Sequence, residues 1–486
     1  MLKAALRDSL VYGLASVLSK GLAIFLLPLY TRVLSPDDYG AYDLLITLGA
    51  LANLVVALEI AQGLARYWAD APEPTARRRL ASTSLWFSVL MYGLFLLIGL
   101  LAAPQLNALV LGDARYLDAF RLGVGFIAVN GIYYLLLNQF RWELRSKAYA
   151  LASVAYALFT LLFALAFCLW LGQGLVGVML AQLLAALCAG LLCLWLLRQT
   201  FGWQFDAGQL RAMLRFSTPL VPAGLAVFIS LYINRFALNH FGSLEDVGHF
   251  GIGSRIAGLA ALLILGIQAA LTPLVYQHYR DPQTPGQIAR LFSWFMAVAL
   301  AGCLFLALFA RELLMLFATP KFMPGAALVG VLAPSLLLSQ MYIFAPGIAI
   351  AKKTHWQLWV TLLSAAASVA GNWLLVPLWG IWGAALATLL ASLLFFLCWL
   401  SLSQRLYRIP YAWRALLLAS LGFVVCAGMG VQLEAMGLTL PVTLLLKSLL
   451  MCVLLGLVVV CGLLPLADLL AALQQLKRRL GRSARV

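Results

Sequence analysis

The chain has 486 residues, 64% of them hydrophobic and only 10% charged, with a mean hydropathy of +0.98. A soluble domain carries roughly 25% charged residues and cannot hide this much apolar surface, so lipid is the expected solvent, which excludes soluble enzymes and secreted disulfide scaffolds. The formal net charge of +16 does not point to nucleic acid either, because Lys and Arg fall in small groups between apolar runs rather than gathering in one patch.

Fourteen apolar runs are long enough to be spans, each needing roughly 20 residues. They fall at 9–33, 41–65, 81–103, 116–140, 149–171, 174–197, 214–236, 248–275, 290–310, 325–350, 355–377, 381–402, 412–434 and 442–466. The first follows Lys3 and Arg7 but is too long for a cleaved signal peptide. Pro28, Pro219, Pro222, Pro273, Pro334 and Pro346 are expected kink points. Asp37 and Asp38 sit in Ser35-Pro-Asp-Asp-Tyr-Gly40, a turn sequence that accounts for them without a metal. The eight cysteines lie in apolar runs with no C-x-x-C, and the four histidines are scattered, so neither a metal nor a cofactor is expected. No connection exceeds roughly twenty residues, shorter than an independent folding unit, and there is no P-loop. The chain is not expected to be an enzyme.

Orientation follows from charge. With the N-terminus cytoplasmic, 24 Lys and Arg collect on one side against 6 on the other. The excess belongs on the cytoplasmic side, which places both termini there. The last residues, from Leu469, alternate leucines at helical spacing with Lys477, Arg478, Arg479, Arg482 and Arg485, a basic amphipathic tail suited to an anionic leaflet.

The second half echoes the first. Gly174-Leu-Val-Gly177 returns as Gly380-Ile-Trp-Gly383 after 206 residues, a spacing shared by Tyr116 with Phe322, Lys147 with Lys353 and Tyr149 with His355. Thr31-Arg32 returns as Asn234-Arg235, and Tyr39-Gly40-Ala41-Tyr42 as Val247-Gly248-His249-Phe250. The predicted fold is an all-α polytopic membrane protein: two six-helix halves related by a pseudo-two-fold along the membrane normal, plus two extra helices. The boundaries are 1–198, 199–408, 409–467 and the tail 468–486. Such duplication is common in alternating-access transporters.

The stretch Leu10 to Leu45, containing GLAIFLLPLYTRVLSPDDYGAYDLL, resembles the opening of polysaccharide-biosynthesis flippases, members of the multidrug/oligosaccharidyl-lipid/polysaccharide (MOP) exporter superfamily. Lys20, Pro28-Leu-Tyr-Thr-Arg32, Leu34-Ser-Pro-x-x-Tyr-Gly40 and Asn234-Arg235 with Val247-Gly248 carry the resemblance. It implies movement of a polyprenyl-diphosphate-linked oligosaccharide from the cytoplasmic to the periplasmic leaflet of a bacterial inner membrane. Relatives often carry an acid where this chain has Asn234, which counts against cation coupling at that position.

Charges inside spans cost at least about 2.5–3.5 kcal/mol at a helix centre, so they usually face a cavity or a partner. Lys20 lies about 11 residues into its run, roughly 16 Å along a helix, as a cavity lysine or a partner of Asp43 or Glu59. Arg255 is a phosphate ligand or a snorkelling side chain. Arg32 and Arg235 form an anion clamp with it or anchor helix ends. Lys20, Arg32, Arg235 and Arg255 are therefore the candidate ligands for an anionic head, since the guanidinium fork matches phosphate. Glu59 and Arg66, seven residues apart, share one helix face as a gate, a protonation site or a structural pair. Asp43 fits a helix start or an ion-coupling site. Lys447 is expected to snorkel and Glu434 to lie at the outer boundary.

The expected partners are the lipid-linked saccharide, membrane lipid and polysaccharide polymerase or assembly machinery, and nothing demands more than a monomer. A multidrug or cation antiporter of the same superfamily is the nearest rival. Behind it comes an assembly factor that translocates nothing.

Overall fold

In the computed structural model the described residues are 26–464, apart from 72, 265–266, 269–270, 272–274 and 276–277. Lys20, most of the first predicted span and the basic tail lie outside them. Eleven helices among the described residues are long and apolar enough to cross a membrane, or twelve if one bent pair is a single span. The chain is an all-helical, multi-pass membrane protein.

The bent pair is the second predicted span. Helix α1 (Pro36–Val55) begins with a capping box: the Ser35 hydroxyl accepts from the Asp38 N–H and the Asp38 carboxylate accepts from the Ser35 N–H. Asp37 and Asp38 therefore occupy the first helical turn rather than the predicted turn. Helix α2 (Ile60–Asp70) follows at 43°. Leu58 and Glu59, at φ 50° and 54°, are both left-handed, and that breaks the span. Next come α3 (Pro74–Leu101), α4 (Leu117–Trp142), α5 (Ser146–Ala164), α6 (Gly174–Leu196), α7 (Leu220–Phe241), α8 (Leu244–Ala257), α9 (Thr284–Leu308) and α10 (Val329–Leu338). Helix α11 (Thr354–Leu406) has 53 residues, enough for two crossings, and Gly380 at φ 53° breaks it. Helices α12 (Trp413–Ala435) and α13 (Leu440–Val460) complete the set.

Some positions that echo one another in sequence share backbone conformations. Gly174 matches Gly380 at φ 53°, a left-handed value that a side chain would strain. Leu144 and Lys352 match at φ 55° and 56°. The structure therefore equates Lys353 with Arg145 rather than Lys147, since both follow that left-handed residue and lead into a helix.

Packing divides the described residues into two units. One is formed by residues up to Gly251 with Met315–Phe322 and Ser368–Ala387, the other by Ile252–Leu314, Met323–Ala367 and the chain from Thr388 onward. In the first unit α6 packs on α4 and α5, and α3 packs on α4. The segment before α7 is stitched to α3: the Trp86 indole donates to Gly202 O at 2.9 Å, the Gly202 N–H donates to Ser82 Oγ at 2.8 Å, and Trp203 stacks on Trp86. In the second unit α9 packs against α10, α12 and α13.

In the first unit α1 and α8 approach each other backbone to backbone. A Cβ on Gly40 would lie 1.9 Å from Leu244 O, and one on Gly248 would lie 2.1 Å from Pro36 O. The two contacts are reciprocal, and each glycine lets the facing backbone close in. Gly40→Val is expected to lower the thermal unfolding temperature of the detergent-solubilised chain by overpacking, at a cost of about 1–3 kcal/mol. Gly93→Ala, whose Cβ meets open space, should leave it unchanged or slightly raised.

Candidate functional site

The α1–α8 crossing brings Asp43, one turn further along α1, to the edge of α7. There Arg235 Nε donates to Asp43 Oδ2 at 3.1 Å, with both side chains nearly buried at 12% and 10% exposure. The rest of the guanidinium is held by neutral groups. Nη1 donates to Asn234 Oδ1 at 2.8 Å and more weakly to Leu231 O at 3.4 Å, and the charge lies 5.3 Å from both the Tyr232 and Phe250 ring centres. Room for the carboxylate comes from Gly251, since a Cβ there would sit 3.1 Å from the Asp43 carboxyl. Asn234 is thus a neutral acceptor that orients Arg235.

Aromatic and amide groups line the same part of α1. Tyr42 meets Tyr30 and Tyr39 edge-on at 5.4 and 5.7 Å. Gln182 of α6 links Tyr42 and Tyr156: its amide donates to the Tyr42 hydroxyl at 3.4 Å and its carbonyl accepts from the Tyr156 hydroxyl at 3.2 Å. Sequence reading passed over Gln182 and Tyr156, although a glutamine inside an apolar run was a usable signal.

The other predicted residues have surroundings of their own. Arg32 is exposed and makes no ion pair with a described residue. Arg255 is half-buried and belongs to the second unit. Glu59 is half-buried at the left-handed break between α1 and α2. Arg66 does not pair with Glu59, because it is exposed beyond the break and bonds Asp70 one turn along α2.

Lys447 corrects its expectation. It does not snorkel but is fully buried in the second unit, donating to Glu312 Oε1 at 2.7 Å and to Glu434 Oε1 at 2.9 Å, with the Phe309 ring 5.8 Å away. Helices α12 and α13 form a hairpin, so Glu434 and Lys447 on either side of its turn were bound to meet; that signal was in the sequence. The two helices also interlock with their neighbours through small residues, Gly422 receiving Leu457 and Gly430 receiving Leu308.

Residues 5–278, more than half of the chain, match the family of polysaccharide biosynthesis proteins. The chain belongs to this family. No curated protein sequence matches it. Among solved structures, the lipid II flippase MurJ in an inward closed conformation aligns with a TM-score of 0.72 at 11% identity, covering 92% of this chain and 98% of that one. An inward-facing multidrug resistance MATE family transporter of the MOP superfamily aligns at 0.64 with 19% identity, covering 80% and 95%. A variant of the Vibrio cholerae MATE transporter VcmN aligns at 0.56 with 17% identity, covering 83% and 97%. These identities establish the fold, that of MOP-superfamily transporters.

Breaking a buried ion pair from one side costs about 3–5 kcal/mol, because the other charge is left unpaired. Asp43→Asn and Arg235→Gln should each lower the thermal unfolding temperature of this protein, and the double variant should lose clearly less than the sum. Additive losses would show that the two side chains do not depend on each other.

Proposed function

We propose that the protein is a flippase that moves a polyprenyl-diphosphate-linked oligosaccharide from the cytoplasmic to the outer leaflet of a bacterial inner membrane by alternating access. The family match and the MurJ-like fold support this reading. It uses fourteen spans with both termini cytoplasmic: six-helix halves at 1–198 and 199–408, two further helices within 409–467 and a cytoplasmic tail at 468–486. Helix α11, counted once among the candidate spans, supplies two crossings around Gly380.

The observation that carries the proposal is the state of Arg235. Its guanidinium is fixed by a neutral amide, a carbonyl and two rings, and Asp43 is its ion-pair partner. A diphosphate offers the same acceptor geometry with more charge and competes with that carboxylate for the fork. Arg32, exposed and without an ion pair among the described residues, is repeat-related to Arg235 and serves as a second cation for the head. Lys20 and Arg255 complete the candidate set. Glu59, at the break in the second span, is the candidate for a gate or for ion coupling. Outward movement of one negative charge gains about 2.3 kcal/mol per 100 mV when the interior is negative, so membrane potential alone can favour export.

Deleting the gene in its native host is expected to accumulate completed lipid-linked saccharide and abolish one surface polymer. Complementation with Arg235→Ala should fail despite normal insertion. Unchanged polymer and lipid intermediates, with raised sensitivity to cationic drugs, would favour the antiporter reading instead.

A further inference from the structure

Three helices of the first unit enclose an apolar cavity of about 320 Å³. Leu45, Leu48, Ala52 and Val55 recur at helical spacing along one face of α1 and form one wall. Phe95 of α3 and Phe120 and Val124 of α4 form the others, and Leu106 and Val110 of the short helix Ala103–Val110 close one end. The walls are tightly interlocked around this space. A Cβ on Gly99 would lie 2.6 Å from Val124 Cγ1, one on Gly123 would lie 3.1 Å from Leu45 Cδ2, and one on Gly49 would lie 3.3 Å from Ile127 Cγ1. Loose helix packing therefore does not account for the cavity.

No polar side chain lines the cavity. An apolar space of this size stays dry, because water finds no hydrogen-bond partner in it, and left empty it forfeits dispersion contacts along every wall. Its occupant is therefore apolar, and inside a bilayer the apolar material at hand is hydrocarbon chain. From Leu45 to Val55 the wall runs about 15 Å along α1, which suits a chain better than a compact ligand. Leu45, Ala52, Phe120 and Val124 are buried, whereas Val55 is 38% exposed and marks the mouth. The neighbouring charge decides which chain. At the closed end Asn239 of α7 donates to Val110 O at 2.8 Å, and Arg235 lies one turn away on the same face of α7. Asp43, the partner of Arg235, stands two residues before Leu45 on α1. The cavity thus adjoins a guanidinium suited to phosphate, and a cation beside a hydrocarbon seat matches a lipid with an anionic head.

We propose that this cavity seats the isoprene units nearest the diphosphate of a polyprenyl-linked cargo while Arg235 holds the diphosphate itself. The assignment rests on the flippase reading and adds a tail subsite to it. The rest of the chain leaves past Val55 into lipid, so head and tail are held at once.

The test uses the full chain, purified in detergent and delipidated, with binding of undecaprenyl diphosphate, pyrophosphate and phosphatidylglycerol measured by isothermal titration calorimetry. Ala52→Phe fills the cavity from α1, and Val55→Trp plugs its mouth from a partly exposed position that accepts the bulk. Each should weaken undecaprenyl diphosphate by about tenfold or more, the loss of a few buried methylene groups. Neither should change the binding of pyrophosphate, which has the head and no tail, whereas Arg235→Ala should weaken both ligands. Leu97→Trp, at an exposed position of α3 outside the lining, should bind as the parent does. Equal undecaprenyl diphosphate binding by the parent and both filled variants would overturn the tail subsite and leave the flippase reading standing. Tighter binding of phosphatidylglycerol than of undecaprenyl diphosphate, lost in the filled variants, would give the cavity to a membrane phospholipid and overturn the proposal. No undecaprenyl diphosphate binding by the parent would overturn the subsite together with the reading on which it rests.

Discussion

A charge in hydrocarbon must find a partner or a cavity, and this constraint organises the molecule. Asp43 and Arg235 meet it by bonding across 192 residues of sequence, and that bond ties α1 to α7 in the first unit. Lys447 meets it differently, by drawing Glu312 and Glu434 around one fully buried ammonium and pinning the last two helices within the second unit. The two solutions differ in chemical consequence. An ammonium with two carboxylates has its charge more than balanced and fits a structural bolt. A guanidinium with one carboxylate and several neutral partners keeps capacity for a competing anion.

The Asp43–Arg235 bond depends on a close approach that only glycine permits. Gly40 and Gly248 let α1 and α8 touch backbone to backbone, and Gly251 leaves space for the carboxylate. The backbone contact is reciprocal, but the chemistry around it is not. Asp43 stands three residues after Gly40 and Gly251 three residues after Gly248, so Arg235 has an acid to bond while Arg32 has none among the described residues.

Much of the fold was legible from the chain because lipid imposes a simple grammar of apolar length and positive charge. The runs at 116–140, 174–197, 290–310 and 412–434 correspond to α4, α6, α9 and α12 with edges shifted by a few residues. The break at Leu58–Glu59 was not legible, because nothing in Ala57-Leu-Glu-Ile60 requires left-handed backbone in the way glycine or asparagine would suggest. For the same reason Glu59 and Arg66 looked like face-sharing neighbours of a continuous helix. At the site, Arg235 and Asp43 were both singled out, but their pairing was not, since no local spacing encodes a contact between residues so far apart. The burial of Lys447 was missed because its depth was counted from one helix alone, without the hairpin that presents Glu434 to it.

If Arg235 carries an anionic lipid head across the bilayer, transport in a defined membrane must depend on it. The purified protein would be reconstituted into vesicles with a polyprenyl-diphosphate oligosaccharide in both leaflets, and a membrane-impermeant glycosidase added outside. The account predicts that the parent protein exposes nearly all of the saccharide to digestion, whereas Arg235→Ala exposes only the outer-leaflet fraction seen in protein-free vesicles. Equal digestion with the parent and Arg235→Ala, or none beyond the protein-free fraction with either, would contradict it.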